Sequence, residues 1–354
     1  GNVLELGANW IHGVLTNPVF EMAYKMGLVN IHKGKSRTYN VMACTDVGGF
    51  VPVPVVDEVR RHYYQLFNVA CQYHTLRSPL NGLASVGEFL RRECDRWLAD
   101  NWPTDGAERR RRRVVFAQLM RRETSICGVD SLDELDLAEI GSYAELPGGN
   151  VRIDDGYANI VAGIADQLPE GVVELGRAVT RIVWEGGEGE GEGVRVECGE
   201  ETTYRCERVL VAVSLGYLQR HQAALFDPSL PEEKVAAMSR IGFGNVNKLF
   251  LEFAPGEMSF LDPTLHEVLM LWGADGEWTE DAGDRKPPVT ADNWYKKIYS
   301  FKVVAPNVLC GWLAGRESEF METLTEDEVL ETCWALLKRF LTNPDVPRPI
   351  SCKR

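Results

Sequence analysis

Apolar residues recur at helical spacing in the first half of the chain and in short continuous runs in the second half. Between residues 54 and 140 they return every three or four positions, which predicts a segment dominated by amphipathic helices. Further helices are predicted over 156–168, which ends before Pro169, and over 231–239 and 325–341. The last of these begins at Thr325 and carries Glu328 three residues later, the spacing of a capping box.

Short apolar runs bounded by turn-forming residues predict the strands. These runs cover residues 3–6, 172–175, 179–184, 194–198, 208–213, 248–253, 267–272 and 308–314. Residues 208–213 are almost continuously apolar, as in a parallel strand buried on both faces. We therefore predict an α+β or α/β fold that includes part of a dinucleotide-binding, Rossmann-like sheet.

Alternating glycine and glutamate occupy residues 186–193. Their spacing does not match the Gly-x-Gly-x-x-Gly turn that seats a dinucleotide pyrophosphate, and the glutamates would repel that group. We interpret the run as a flexible hairpin tip between the strands predicted over 179–184 and 194–198. Since no other segment matches the dinucleotide turn, we expect the sequence to be an interior piece of a longer protein.

The chain is acidic, with a net charge of −14 at pH 7 among 354 residues. This charge argues against nucleic acid as a partner, because binding phosphate requires a basic surface, but it suits a cationic substrate. Five consecutive arginines at positions 109–113 precede an apolar helical pattern, and we interpret them as the exposed first turns of a helix. No apolar run reaches the ~18 residues of a membrane span, so no membrane association is expected.

The nine cysteines are scattered, without a Cys-x-x-Cys pair or a histidine at metal spacing. An odd, dispersed set is typical of free thiols in a reducing compartment, so we predict neither a disulfide framework nor a metal site. With 45% hydrophobic and 25% charged residues, the composition is that of a globular protein long enough for two domains.

The opening segment, residues 1–13, carries the first candidate site. A turn of small residues lets the backbone approach a flat ligand, and aromatic side chains follow at once. The residues concerned are Gly7, Ala8, Asn9, Trp10 and His12.

The second candidate site is Lys248, which stands at the head of an apolar strand within residues 242–253. A lysine in this position either extends its ammonium to solvent or lies partly desolvated in a cleft. Taken with the opening segment, the second alternative is the one we expect.

Both segments resemble the flavin-dependent polyamine oxidases, a branch of the flavin-containing amine oxidases. Residues 211–216, 230–237 and 316–324 extend the resemblance along the chain in the same order, and the last is most similar to the animal peroxisomal N1-acetyl-spermine/spermidine oxidases. The resemblance implies a two-domain FAD-linked fold, without its N-terminal dinucleotide motif and its C-terminal flavin segment. The FAD-binding domain would comprise residues 1–35 and 146–224, and the substrate domain residues 36–145 and 225–354.

The resemblance also implies roles for single residues. Lys248 would hold a water against the reactive nitrogen of the flavin and act in catalysis. The backbone of Val179 would contact the adenine. The remaining FAD contacts would come from Gly7, Ala8, Asn9 and Trp10.

Four further residues would contact the substrate. His12 would bind the amine or take up its proton, although a histidine taken alone is more often a surface or structural residue. Glu123 would face a substrate amine, or else pair with a neighbouring arginine at the end of its helix. Ile126 would form an apolar wall. Val246 stands where the animal acetyl-polyamine oxidases carry asparagine, which puts acetyl selectivity in question.

The implied reaction is the oxidation of N1-acetylspermine and N1-acetylspermidine by O2, giving a shorter polyamine, 3-acetamidopropanal and hydrogen peroxide. The alternatives are a spermine oxidase acting on unacetylated spermine and a catalytically inactive truncated form. By resemblance we expect a monomer in the peroxisome or cytoplasm, whose partners are the polyamine and O2.

Overall fold

The computed structural model of the chain describes residues 4–29, 39–77, 82–153, 156–184, 193–199, 202–273 and 288–354. The α-helices of these residues are, in chain order, α1 (Pro18–Lys25), α2 (Val53–Leu76), α3 (Val86–Asn101), α4 (Gly106–Cys127), α5 (Ala158–Ala165), α6 (Leu215–Leu225), α7 (Glu232–Arg240), α8 (Arg316–Glu322) and α9 (Glu326–Leu341). The strands are β1 (Trp10–His12), β2 (Val41–Thr45), β3 (Phe50–Val51), β4 (Asn150–Arg152), β5 (Val179–Val183), β6 (Val194–Cys198), β7 (Thr202–Cys206), β8 (Phe226–Asp227), β9 (Val246–Glu252), β10 (Glu267–Leu271), β11 (Ser300–Ala305), β12 (Val308–Ala314) and β13 (Ser351–Lys353).

The chain divides into two compact units. The larger comprises Gly1–Tyr157 and Gly244–Arg354, and the smaller comprises Ala158–Phe243. The predicted mixture of helices and mixed sheets is confirmed, and the predicted helical stretch 54–140 contains α2, α3 and α4.

A seven-stranded mixed sheet forms the centre of the larger unit, with strand order β13-β9-β12-β11-β10-β2-β3. Only β10 and β2 pair in parallel; the other neighbours in this sheet are antiparallel. One face packs on α9, where Leu249 and Leu251 of β9 share a core with Leu337. At the β2 end, the opposite face packs on α2, α3 and α4, where Leu269 and Leu271 are buried. Lys248 directly precedes Leu249 in β9. Because successive side chains of a strand point to opposite faces, the Lys248 side chain lies on the sheet face away from α9.

Local signals define both ends of α4. Asp105 caps the first turn by accepting hydrogen bonds from the backbone N–H groups of Ala107 and Glu108. Gly128 ends the helix in the left-handed conformation, with φ of 68°. Similarly, the capping box predicted at Thr325 is confirmed, since its hydroxyl and the Glu328 carboxylate cap each other's backbone N–H groups.

The arginine run within α4 is only partly exposed. Arg112 is buried and pairs with Glu58 of α2 at 2.8 Å and with Glu108, and its guanidinium lies 3.7 Å from the centre of the Trp102 ring. The expectation of exposed first turns is therefore wrong for Arg112. Glu58 lies 54 residues earlier in the chain, and it offsets the cost of burying the charge.

The smaller unit contains a four-stranded sheet of order β7-β6-β5-β8. The hairpin predicted from residues 179–184 and 194–198 is confirmed by the antiparallel pair β5 and β6, while most of its glycine-rich tip, residues 185–192, lies outside the described residues. The strands predicted over 172–175 and 208–213 are wrong. Within the described part of this unit neither segment pairs with a strand, and Leu175 and Leu210 are almost fully exposed. A buried parallel strand requires strand neighbours that an apolar run cannot itself supply.

The strand predicted over 3–6 is also wrong for its described residues. Residues 4–6 have no strand partner, and the carbonyl of Glu5 accepts a hydrogen bond from a side chain instead. Val3 lies outside the described residues.

Candidate active site

Lys248 lies buried on the sheet face opposite α9, and its ammonium is held by the opening segment of the chain. The Lys248 Nζ donates to the backbone carbonyl of Glu5 at 2.9 Å and to that of Gly7. The side chain is only 7% exposed. The structure thus brings together the two segments that carried the sequence argument, although they lie more than 240 residues apart.

The surroundings of Lys248 weaken its hold on a proton. Burial lowers the pKa of its ammonium, while Cys310 and Glu5 act in the opposite direction. Trp312 lies directly opposite on β12, and its ring centre is 4.8 Å from Nζ. An ammonium over an indole gains cation–π stabilisation, so Trp312 helps to position the lysine.

The segment around Gly7 is held in place by several contacts. The backbone N–H of Tyr157 donates to the Glu5 carboxylate at 2.5 Å, and the backbone N–H of Ile153 donates to the carbonyl of Asn9 at 3.3 Å. Gly7 and Ala8 remain exposed, and a Cβ built on Gly7 meets no atom within 4 Å. An open strip of backbone therefore lies beside a buried ammonium.

Trp10 and His12 lie on β1, which pairs with β4. Because side chains alternate along a strand, Ile11 is buried while Trp10 and His12 are exposed on the other face. Asn17 donates to the carbonyl of His12 at 3.0 Å and fixes the end of the strand. Both side chains follow the Gly7 turn and are open to a ligand.

Glu123 is a buried carboxylate in the penultimate turn of α4. It is 7% exposed, and the Cys127 thiol donates a long hydrogen bond to its Oε1 at 3.9 Å. Burial raises the pKa of Glu123, opposed by the neighbouring Arg122. The Arg122 guanidinium itself donates to the hydroxyl of Tyr64 at 2.9 Å. Arg122 therefore acts on Glu123 through its charge, and among the described residues no hydrogen bond joins the two side chains.

Ile126 and Val246 are exposed apolar side chains at neighbouring ends of two elements. Ile126 lies in the last turn of α4, and Val246 begins β9. A Cβ at Gly128 would lie 3.7 Å from a methyl of Val246, so the end of α4 meets the start of β9. Val246 shares its sheet face with Lys248, two residues further on.

Val179 belongs to the smaller unit, where it begins β5 opposite Cys198 and is partly exposed. The structure places its backbone at the start of a regular strand.

Comparison with known proteins identifies the family. The sequence model of the family described as flavin containing amine oxidoreductase matches residues 1–354. The chain belongs to this family. It is 34% identical to the peroxisomal N(1)-acetyl-spermine/spermidine oxidase of Homo sapiens and 33% identical to that of Bos taurus; each alignment covers the whole chain and 71% of the relative.

The solved structures agree on the fold. A variant of putrescine oxidase superposes with a TM-score of 0.62 at 16% sequence identity, over 99% of this chain and 73% of that one. This flavin-containing amine oxidoreductase therefore has the FAD-linked amine oxidase fold, and FAD is its cofactor.

The residues beside Lys248 fit a flavin ring. The Nε atom of Arg152 and the Nε1 atom of Trp312 are buried N–H donors without a hydrogen-bond partner among the described residues. Both side chains lie near Lys248. The charge of Arg152 lowers the pKa of the Lys248 ammonium, and the ring centre of Trp312 is 4.8 Å from its Nζ. A flavin ring is flat and rich in acceptors, and the open backbone at Gly7 and Ala8 leaves room for one.

Trp312 and Arg152 were not found by reasoning from the sequence. In β12, Cys310 and Trp312 alternate with the buried Leu309 and Leu313, so the sequence shows that they share a sheet face. It does not show which strand pairs with β12. No sequence pattern marks Arg152 as a site residue, because β4 has only three residues and is too short to show an alternation of apolar and polar positions.

In the described residues, no helix is both long and apolar enough to span a bilayer. The same residues contain no group of three or more histidine, cysteine, aspartate or glutamate side chains placed to bind a metal ion.

Proposed function

We propose that this amine oxidoreductase oxidises N1-acetylspermine and N1-acetylspermidine with O2, releasing a shorter polyamine, 3-acetamidopropanal and hydrogen peroxide. The observation that carries the proposal is the buried ammonium of Lys248, held on the carbonyls of Glu5 and Gly7 beside open backbone. The names of the two mammalian relatives support this substrate class.

Lys248 would position a water at the reacting centre. A bound flavin supplies the acceptor for the hydride that leaves the carbon beside the reacting nitrogen. An ammonium has three N–H donors, and the carbonyls of Glu5 and Gly7 take two of them. The third can hold a water at the sheet face, and the lowered pKa of Lys248 makes exchange of a proton with that water easier. Gly7, Ala8, Asn9 and Trp10 would hold the ring.

Glu123 and His12 would bind the polyamine. The buried carboxylate of Glu123, when ionised, provides a charge for an ammonium group of the substrate. The exposed ring of His12 can hydrogen-bond an amine nitrogen. Ile126 and Val246 offer apolar surface to the methylene chain between the nitrogens.

Unacetylated spermine is a second candidate substrate. Val246 has no hydrogen-bonding group for an acetamide, and its side chain is exposed on the face that Lys248 shares. This observation favours a substrate whose terminal nitrogen is not acetylated.

We further propose that residues 1–35 and 146–224 form the FAD-binding domain, with Val179 at the adenine, and that residues 36–145 and 225–354 form the substrate domain. We also propose that the protein acts as a monomer in the peroxisome or cytoplasm, without nucleic-acid or membrane partners. The names of the mammalian relatives support the peroxisome.

The test is the visible absorbance spectrum of the purified chain after addition of FAD, before and after anaerobic N1-acetylspermine. We expect a flavin spectrum that bleaches with N1-acetylspermine and recovers with air. Bleaching by spermine alone would support the second candidate. Bound flavin that no polyamine reduces would contradict the proposed function, and a protein that binds no flavin would support the inactive form.

A further inference from the structure

Arg152 lies on the ligand-facing side of the two-stranded sheet formed by β1 and β4. It is directly opposite Trp10 in this antiparallel pair, and directly opposed residues share a face. Trp10 is 42% exposed on that face, whereas Ile11 is buried on the other. Arg152 therefore shares the open face with the aromatic side chain that follows the Gly7 turn.

The backbone fixes this placement of Arg152 on both sides of the pair. The N–H of Ile153, the next residue, donates to the carbonyl of Asn9 at 3.3 Å. The Tyr157 hydroxyl donates to the carbonyl of Trp10 at 2.9 Å. The segment that carries Arg152 and the opening segment thus run side by side as one bonded structure.

The Arg152 side chain is half-buried, and its hydrogen bonding is incomplete. Its Nε is buried and has no hydrogen-bond partner in the part of the chain that the structure describes. A guanidinium presents a planar fork of N–H donors and stays protonated at any pH that the fold tolerates. A buried donor without an acceptor costs free energy, so a ligand that supplies an acceptor here is favoured.

Arg152 and Lys248 place two positive charges in one region. Burial lowers the pKa of the Lys248 ammonium and the charge of Arg152 lowers it further, while Glu5 acts in the opposite direction. Burial raises the pKa of the Cys310 thiol to about 12, and the charges of Lys248 and Arg152 both oppose this rise. Two cations thus meet one carboxylate in a chain whose net charge is −14. This local excess of positive charge suits an anionic ligand.

The anion that these charges fit is the reduced flavin ring. A polyamine is cationic, so the two cations would repel it. A hydride carries two electrons and one proton; its transfer from the carbon beside the reacting nitrogen leaves a cationic iminium and gives the ring one negative charge. Fixed positive charges beside the ring stabilise that product without reorganisation. The arginine keeps its charge where Lys248, with its lowered pKa, can lose a proton.

We propose that Arg152 donates from its buried Nε to the flavin ring and stabilises the negative charge that the ring acquires when the amine is oxidised. The inference rests on the proposed function only for the source of the hydride, since any two-electron donor gives the ring the same charge. It assigns the two cations different roles. Lys248 holds a water, and Arg152 raises the tendency of the ring to accept electrons.

The reduction potential of the bound flavin tests this role without a polyamine. The purified chain, loaded with FAD, is reduced slowly and anaerobically with dithionite in the presence of a dye of known potential. Arg152→Gln keeps N–H donors but removes the charge. We expect it to disfavour the reduced ring by about tenfold or more, which corresponds to a potential lower by about 30 mV or more. Arg152→Lys, which keeps a positive charge, should retain most of the wild-type potential.

Arg348→Gln is the matched control. Arg348 is 45% exposed and pairs with Asp327 and Glu331 of α9, the helix that covers the other face of the seven-stranded sheet. Its substitution also removes one positive charge from the chain, so it corrects for the change in net charge. We expect the potential of the bound flavin to stay at the wild-type value.

Two results would overturn the role of Arg152. One is an unchanged potential in Arg152→Gln. The other is an equal decrease in Arg152→Gln and Arg152→Lys, because the lost property would then be the shape of the arginine and not its charge. Circular dichroism checks that the variants fold. Should Arg152→Gln not fold, Arg152→Met takes its place with the same expected decrease.

The proposed function can fail separately. If the potential falls in Arg152→Gln but no polyamine bleaches the wild-type flavin, the role of Arg152 is supported and only polyamine oxidation is contradicted. If polyamines bleach the flavin and the potentials are alike, only the role of Arg152 is contradicted. A wild-type chain that binds no flavin overturns this role as well, since no ring receives the hydrogen bond.

Discussion

The Cα of Gly244 lies against the backbone carbonyl of Gly128, so closely that a Cβ on Gly244 would overlap the carbonyl oxygen. Gly128 ends the helix that carries Glu123, and Gly244 precedes the strand that carries Lys248. The absence of a side chain at Gly244 therefore lets the end of α4 approach the start of β9 closely.

Gly244→Ala should destabilise the larger unit. The added methyl must displace backbone, which cannot move as a side chain can, so we expect the free energy of unfolding to fall by about 1–3 kcal/mol. Urea denaturation followed by circular dichroism measures the change. Gly242→Ala is the control, because a Cβ there meets no atom within 4 Å. Equal stability of the two variants would show that the overlap is relieved without cost.

Lys248→Met should slow turnover and leave the fold intact. Loss of one oriented donor at the reacting centre should lower kcat by at least about tenfold. Since burial lowers the pKa of Lys248, the wild-type protein should gain stability as pH rises from this lowered value toward about 10.4, and the methionine variant should not show this gain. Stopped-flow absorbance and thermal melts measure the two effects.

The matched control for this substitution is Lys338→Met. Lys338 also lies over a tryptophan, 3.4 Å from the ring centre of Trp334, but on α9. We expect it to keep wild-type turnover. Wild-type turnover in Lys248→Met would remove Lys248 from the mechanism.

The affinity for cationic polyamines should depend on pH through Glu123. Burial raises the pKa of Glu123, so its carboxyl stays neutral to a higher pH, and affinity should be lost as pH falls through this raised value. The contribution of Glu123 to the stability of the fold has the opposite pH dependence. It is fully present below the ordinary glutamate pKa of about 4.3 and is lost as pH rises through the raised pKa of Glu123. Calorimetric titration of spermine at several pH values measures the affinity.

Glu123→Gln should flatten the pH profile of affinity and weaken binding by about tenfold at high pH, since a charge-assisted hydrogen bond is lost. A wild-type profile retained by the glutamine variant would assign the titration to another group.

Val246→Asn should shift preference toward acetylated polyamines. The side chain is 40% exposed, so an amide fits without burial of a polar group, and one new hydrogen bond should lower KM for N1-acetylspermine about twofold to tenfold relative to spermine. Val246→Thr, of similar shape, is the companion variant. An equal change in KM for both substrates would show that position 246 does not contact the acetyl end.

Local signals in the sequence predicted the elements whose ends are set by their own residues. The strands 194–198 and 308–314 occur with those limits, and the Thr325 cap forms with Glu328 three residues on. Residues 208–213 have the same apolar character, yet they form no strand, because pairing partners are not encoded in the run itself.

The candidate site shows the same limit. Lys248 could be proposed from its own strand, but its neighbours Trp312 and Arg152 come from strands whose register the sequence does not reveal.

The bonds from Lys248 to Glu5 and Gly7 also set an order of events during synthesis. They close loops of more than 240 residues, among the most non-local contacts in the chain. A ribosome adds about 5–20 residues per second, so tens of seconds pass between synthesis of the opening segment and synthesis of Lys248. Until then the carbonyls of Glu5 and Gly7 lack this donor, and the segment depends on the earlier pairing of β1 with β4.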